Sequence, residues 1–275
     1  MAYQTLETTP LTPHIGAEVS GVDLSATLSD EQQQDIRQAF LDWKVLVFRN
    51  QELDPEQHKE FGRLFGPLHV HPLQHDYGGD PEILTVRTTS KSRYTAGDGW
   101  HTDVSCEEQP PMGSMLYMKE VPDSGGDTLF ANMHRAYETL SEPMQAFLGR
   151  QTAIHDGAIP YVGNYGIAPP EGRSYPRTEH PVITRHPESG EQVLFVNSGF
   201  TSHIVGMHRS ESRALLDMLF THIASTPSLT CRVRWEPGTL TFWDNRCTQH
   251  HAVWDYHPQT RHGERVSIIG QRPAA

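Results

Sequence analysis

Cysteine is scarce. Cys106, Cys231 and Cys247 are the only three in 275 residues, and none forms a C-x-x-C pair. That excludes a disulfide framework and suggests a reducing compartment. Positive charge is also in the minority: 22 Lys and Arg stand against 34 Asp and Glu, a net charge of -12 with His neutral. Such a balance disfavours nucleic acid and anionic membranes as partners. It leaves an anionic small molecule open, because a few buried arginines can dominate their own site. No apolar run approaches membrane-spanning length. The opening stretch MAYQTLETTPLTPHIG has neither the basic nor the apolar region of a secretion signal. There is no repeat, no low-complexity segment and no break in composition. The expectation is a soluble cytoplasmic protein in which residues 1–275 form one domain.

What is plentiful is turn-forming residue: 22 Gly and 20 Pro. Four stretches read as helices. SDEQQQDIRQAFLDWK opens with a capping-box pattern at Ser29 and Gln32, with Ile36, Phe40 and Trp43 on one face. DPEQHKEFGRLFG has Asp54 as N-cap, Pro55 in the first turn, and Gly66 at its end. MHRAYETLSEPMQAFLG and SESRALLDMLFTHIAS are the others. Short β-rich runs are spread along the chain at 45–48, 83–86, 114–118, 128–131, 182–185, 193–196, 230–235, 239–243 and 265–269. Many short strands predict a mainly β sandwich or barrel with flanking helices. Residues 157–179, rich in Gly and Pro and without periodicity, predict a long loop that acts as an active-site lid.

The chemistry begins at GDGWHTDVSC, where His101 and Asp103 are two positions apart. On a strand, residues two apart face the same way, so both could bind one ion. A non-haem Fe(II) oxygenase needs two imidazoles and one carboxylate on one face of the metal, with the opposite face open. A third ligand would come from WDNRCTQHHAVWDY, which offers both His250 and His251. Against this, the chain has 17 histidines, so an H-x-D is expected by chance, and WDN is also a good turn. The joint pattern favours metal. The H-x-D lies mid-chain, the second His far downstream, and Arg261 and Arg265 follow it 11 and 15 positions after His250.

With these residues in order, the sequence resembles the taurine dioxygenase family of Fe(II)/2-oxoglutarate-dependent oxygenases over essentially its whole length. The resemblance runs through IGAEVSGVDLSATLSD, FGPLHVHP, WHTDVS, GGDTLFANM, HPVITRHPESGEQVLFVN, WDNRCTQH and RVSIIG. It implies a double-stranded β-helix, the cupin-type jelly roll. It implies His101, Asp103 and His250 as ligands of Fe(II), with His251 on the other side of the strand. It implies Arg261, helped by Thr128, at the distal carboxylate of 2-oxoglutarate, where arginine supplies a matched pair of hydrogen bonds. Dioxygen is the other cosubstrate, succinate and carbon dioxide the by-products, and hydroxylation of a C–H bond the reaction. Arg265 and His71 match residues that hold an anionic group of the prime substrate, and Phe200 an aromatic wall. The implied partner is a small molecule; the family also commonly forms homodimers or tetramers.

Four positions depart from the family pattern. Gln74 stands where a tyrosine is expected, Gly97 replaces an asparagine, and Cys106 and Gly157 each replace an aromatic. Loss of wall volume predicts a larger pocket. A small-to-medium anion other than taurine is the expected substrate: a sulfonate, sulfate ester, aryloxy or other carboxylic acid. Gln74 and Cys106 are expected at its wall. The alternatives are a biosynthetic hydroxylase or desaturase for a larger molecule, a Zn or Mn hydrolase with the same ligands, or a non-catalytic cupin-like binding module.

Overall fold

The computed structural model describes residues 3–73 and 79–275. Gln74 lies outside the described residues. The largest sheet carries, in spatial order, β1 (Glu7–Pro10), β2 (Ala17–Ser20), β3 (Val45–Phe48), β13 (Leu240–Asp244), β5 (Gly113–Glu120), β15 (Arg261–Ile268) and β4 (Leu84–Thr88). Its neighbours are antiparallel except β2 and β3. Facing it is a smaller sheet in the order β12 (Thr230–Val233), β6 (Thr128–Asn132), β14 (Thr248–Ala252). Further pairings join β11 (Thr201–Ile204), β7 (Thr152–Asp156) and β8 (Arg177–Pro181), and β9 (Ile183–Arg185) with β10 (Gln192–Leu194).

The apolar runs of the sequence become strands buried on both faces. Along β3, β5 and β13 successive side chains alternate between two cores. Val45, Val47, Leu116, Met118 and Trp243 pack against Phe130, Cys231 and Val233 of the smaller sheet. Leu46, Phe48, Met115, Tyr117, Leu240 and Phe242 face the other way. They are covered by α1 (Asp30–Trp43) and α2 (Pro55–Arg63), through Ile36, Phe40 and Phe61. Phe40 stacks on Phe242 with ring centroids 3.9 Å apart. The capping box read at Ser29 and Gln32 forms, and the N-cap read at Asp54 proves to be a second capping box, with Gln57. This mainly β sandwich with flanking helices is the jelly roll expected above.

Three local expectations are corrected. MHRAYETLSEPMQAFLG is two helices, α3 (Met133–Glu138) and α4 (Glu142–Leu148). Ser141 and Pro143 start the second, because proline is tolerated only in a first turn. α5 (Arg209–Ala224) forms as one helix. The segment 157–179 is not one loop: a π-helical turn spans Ile159–Asn164 and β8 begins at Arg177. The turn closes through Tyr165 N–H to the Pro160 carbonyl, a spacing that no helical or strand periodicity reveals. His101 and Asp103 do not share a regular strand. His101 makes a single bridge to His250, and Asp103 lies in the turn that follows.

Two histidines away from the cavity tie stability to pH. Burial pushes the His58 imidazole down to about 4, and burial with the neighbouring His180 pushes His155 down to about 3. Both are neutral in the folded chain, whereas the unfolded chain protonates them near pH 6.5. The unfolded state therefore binds more protons below that pH, and stability falls as pH drops from about 6.5 towards 4. The thermal midpoint is expected to be lower at pH 5 than at pH 7.5, with a shallower slope in His155→Gln. An unchanged midpoint across that window would refute the assignment.

Candidate active site

The site starts from one backbone pairing. His101 N–H donates to the His250 carbonyl at 3.0 Å, and His250 N–H donates back at 2.9 Å. His101 thus extends the β12–β6–β14 sheet by one position. Directly opposed residues of an antiparallel pair project to the same face. Their rings accordingly lie 4.0 Å apart between centroids. Asp103 Oδ1 sits 3.7 Å from His101 Nε2 and 3.8 Å from His250 Nε2. His101 Nδ1 lies 2.9 Å from the Gly99 carbonyl, so this nitrogen carries the proton and the Nε2 lone pair is free. Burial and the adjacent His101 push the His250 imidazole well below its ordinary value, which keeps it an unprotonated donor. The ligand atoms of the three residues lie within 4.8 Å of one another and could hold a metal ion. Two imidazole nitrogens and one carboxylate oxygen on one side are a donor set that fits Fe(II). His251 points the other way and pairs with Asp98 at 2.9 Å.

A turn, not strand alternation, aims Asp103. Val104 has φ of 47°, unusual for a β-branched residue and costly by about 1–3 kcal/mol. Asn245 holds the turn. Its Oδ1 accepts Asp103 N–H at 2.8 Å, and its Nδ2 donates to the carbonyls of Asp103 at 3.0 Å and Pro111 at 2.9 Å. The carboxylate itself accepts from Ser114 Oγ at 3.0 Å and Arg265 Nη1 at 2.7 Å. Burial would raise its pKa; the Arg265 guanidinium outweighs that and holds it well below the usual carboxylate range.

Arg261 and Arg265, four apart on β15, face the same cavity, which has a volume of about 840 Å³. Arg261 is 3% exposed. Its partners are the Gly126 carbonyl at 3.0 Å, the Thr128 hydroxyl at 3.5 Å and the face of Trp235 at 5.4 Å. Among the described residues it forms no salt bridge. A buried cation without a counter-charge costs several kcal/mol, and a bound carboxylate would relieve that cost. Thr128 also accepts from Trp235 Nε1 at 3.0 Å, which leaves its own proton for a ligand.

The pocket wall differs from expectation. Cys106 is fully buried behind Tyr161 and Phe200 and does not line the cavity. Burial pushes its thiol pKa far up. Gly157 leaves no space: a Cβ there would meet Tyr175 at 3.0 Å and Cys106 at 3.2 Å. Gly97, with φ of 83°, would bring a Cβ to 2.9 Å from the His101 ring. Its N–H donates to the Tyr165 hydroxyl at 2.9 Å. The space beside Gly157 and Cys106 is thus filled by Tyr161 and Tyr175 from 157–179. Phe200 and His71 line the cavity as expected. His69 turns away to Glu107 at 2.7 Å. Asn245, Ser114, Tyr161 and Tyr165 were not singled out; only the turn-like WDN hinted at the first.

A second buried cluster, His186, Asp244 and Cys247, brings together potential donors. His186 Nδ1 accepts the N–H groups of Glu188 and Ser189 at 3.3 and 3.0 Å, so its proton is on Nε2 and goes to Asp244 at 3.0 Å. Asp244 also binds Arg246 Nε and Nη2 at 2.8 and 2.6 Å. With both imidazole nitrogens committed, the cluster is an anchor for the strand end that carries Asn245. Asn245→Ala is expected to weaken Mn(II) binding about 10- to 100-fold while the fold persists. Calorimetric titration reads this, and an unchanged affinity would assign Asn245 to packing alone.

Residues 7–267 match the family model "Taurine catabolism dioxygenase TauD, TfdA family". The chain is 35% identical to an alpha-ketoglutarate-dependent sulfonate dioxygenase of Saccharomyces cerevisiae, over 98% of this chain and 68% of that protein. It is also 35% identical to an alkylsulfatase of Acinetobacter baylyi, over 98% of this chain and 86% of that one. A crystal structure of a taurine dioxygenase from Burkholderia xenovorans superposes with a TM-score of 0.85 at 37% identity, covering 98% of this chain and 93% of that one. No helix among the described residues is long and apolar enough to cross a membrane. On this match across nearly its whole length, the chain belongs to the TauD/TfdA dioxygenase family and is an Fe(II)- and 2-oxoglutarate-dependent enzyme that uses dioxygen on a small-molecule substrate.

Proposed function

We propose that His101, Asp103 and His250 hold Fe(II), and that Arg261 and Thr128 receive the distal carboxylate of 2-oxoglutarate. Arg265 and His71 then receive the anionic group of a sulfonate or sulfate ester with an apolar body. The observation that carries this reading is Arg261, a buried cation that has no ion-pair partner among the described residues and shares a cavity with the two imidazoles and the carboxylate. The sulfonate and alkyl sulfate in the relatives' names support the choice of anion.

The cavity's own chemistry argues against an amine on the substrate. Among the described residues only two carboxylates line it, Asp98 and Asp103. Asp98 is taken by His251 and Asp103 by Arg265. Among the described residues an ammonium group would find no free counter-charge, while Phe200, Tyr161, Tyr165, Leu73 and Ile167 offer apolar surface.

Fe(II) and 2-oxoglutarate, when bound, supply the oxidising power that hydroxylates a substrate C–H bond, with release of succinate and carbon dioxide. The protein's part is placement. Arg261 and Thr128 set the depth of the cosubstrate. Arg265 holds Asp103 through Nη1, while its buried Nε has no partner among the described residues and is available to the substrate anion. The aromatic wall excludes water from the C–H bond under attack.

Succinate formation with Fe(II), ascorbate and 2-oxoglutarate tests the reading. Hexyl sulfate or hexane-1-sulfonate is expected to drive turnover well above the substrate-free rate, and taurine is not; rapid turnover of taurine would sink the argument from the missing counter-charge. EDTA should abolish the activity and Fe(II) restore it. In Arg261→Gln the half-saturating concentration of 2-oxoglutarate is expected to rise at least about 30-fold, the low end for truncating a buried charged partner. An unchanged value would place the cosubstrate elsewhere.

A further inference from the structure

The anionic end of the substrate is placed against Arg265 and His71 by the reading above, and this inference rests on it. The wall beside those residues carries a hydroxyl whose role is unassigned. Tyr161 lies on the π-helical turn Ile159–Asn164 and is 3% exposed. Such turns are rare and concentrate at functional sites. The ring is held on several sides: its centroid is 4.6 Å from Tyr175, 6.0 Å from Phe200 and 6.0 Å from His71, the last two edge-on. Tyr161 lines the cavity together with His71, Phe200 and Arg265. Its hydroxyl lies 3.5 Å from His71 Nε2, the outer limit of a hydrogen bond.

The direction of that contact follows from the far side of the imidazole. His71 Nδ1 accepts the Leu73 N–H at 3.2 Å, so Nδ1 carries no proton. Burial and the charge of Arg265 keep the ring neutral. Its single proton is therefore on Nε2 and points at the Tyr161 oxygen. Tyr161 accepts there, and its own O–H has no acceptor among the described residues. Arg265 Nε is likewise buried without a partner. Three donors from three separate chain segments thus converge on one wall of the cavity with unused or weakly used protons. A buried polar wall of this kind is costly unless a ligand completes it.

We infer that Tyr161 is a specificity-determining residue, whose hydroxyl donates a hydrogen bond to the substrate's anionic group alongside Arg265, with the His71 proton shared between the Tyr161 oxygen and that group, and so favours a tetrahedral oxyanion over a planar carboxylate. A sulfonate or the terminal face of a sulfate ester presents three oxygens arranged as a tripod. A carboxylate presents two whose lone pairs lie in one plane, so a donor from outside that plane meets a poorly aligned acceptor. A site whose buried donors are left unpaired discriminates strongly against the incomplete ligand.

The test compares two probes with the same six-carbon body, hexane-1-sulfonate and heptanoate. Each is titrated calorimetrically into the anaerobic Fe(II)·2-oxoglutarate enzyme, native and Tyr161→Phe, after Fe(II) and 2-oxoglutarate affinities have been matched between the two proteins. Loss of one charge-assisted hydrogen bond is expected to weaken hexane-1-sulfonate about tenfold in the variant and to leave heptanoate within about twofold. Equal binding of hexane-1-sulfonate by the two proteins overturns the assignment. So does an equal loss for both probes, which would make Tyr161 a packing residue. If the native enzyme binds 2-oxoglutarate but neither probe, the placement of an organic anion at Arg265 and His71 falls first and this inference falls with it.

Discussion

A carboxylate and two guanidinium groups lie inside an apolar sandwich, and the need to satisfy them organises the site. Asp103 is 3% exposed and so is Arg261. Neither charge could sit in that interior unsupported, because desolvation would exceed any packing gain. The chain solves the two cases differently. Asp103 is supported internally, by Arg265 and Ser114. Among the described residues Arg261 has only a carbonyl, a hydroxyl and an indole face, which leaves its charge unbalanced. The first arrangement suits a group that must stay ionised beside a metal. The second suits a carboxylate that arrives and leaves.

The scaffold matters because it holds these groups from both sheets. His250 and Thr128 stand on the smaller sheet and Arg261 and Arg265 on the larger one. The core between the sheets is filled by Phe130, Trp243, Leu116 and Met118. Phe130 and Trp243 also pack directly on the His250 ring, at 5.8 and 4.9 Å between centroids. Packing that stabilises the fold therefore also fixes the orientation of a ligand candidate. The strained turn at Val104 is held by Asn245, itself anchored through Asp244, Arg246 and His186. Backbone strain persists only where surrounding contacts over-determine it.

Much of this was legible in the chain. The capping box at Ser29, the N-cap at Asp54, the β-rich runs and the spacing within H-x-D and between the two arginines all involve short-range patterns. Helix caps, period-2 alternation and spacing along a strand are local, and local rules read them. The polar strands were less visible. β14, with the sequence TQHHA, has no apolar pattern to announce it, because its inward residues face the site as well as the core. The helical segment at 133–148 was seen but not its break at Ser141.

By itself the sequence determined the mainly β class of fold and the donor types that could hold a metal, because these follow from residue type and spacing, while the two arginines were placed through the resemblance to the family. Only the tertiary structure decided how the pocket is walled. Gly157 and Cys106 pointed to lost volume, yet Tyr175 and Tyr161 fill that space from elsewhere in the chain. Likewise the convergence of His101 with Asp103 depends on a left-handed residue and an asparagine clamp more than a hundred positions away, not on strand alternation. A substitution announces the atoms removed at its own position. What moves into the space is set by long-range packing, which no single-position reading contains.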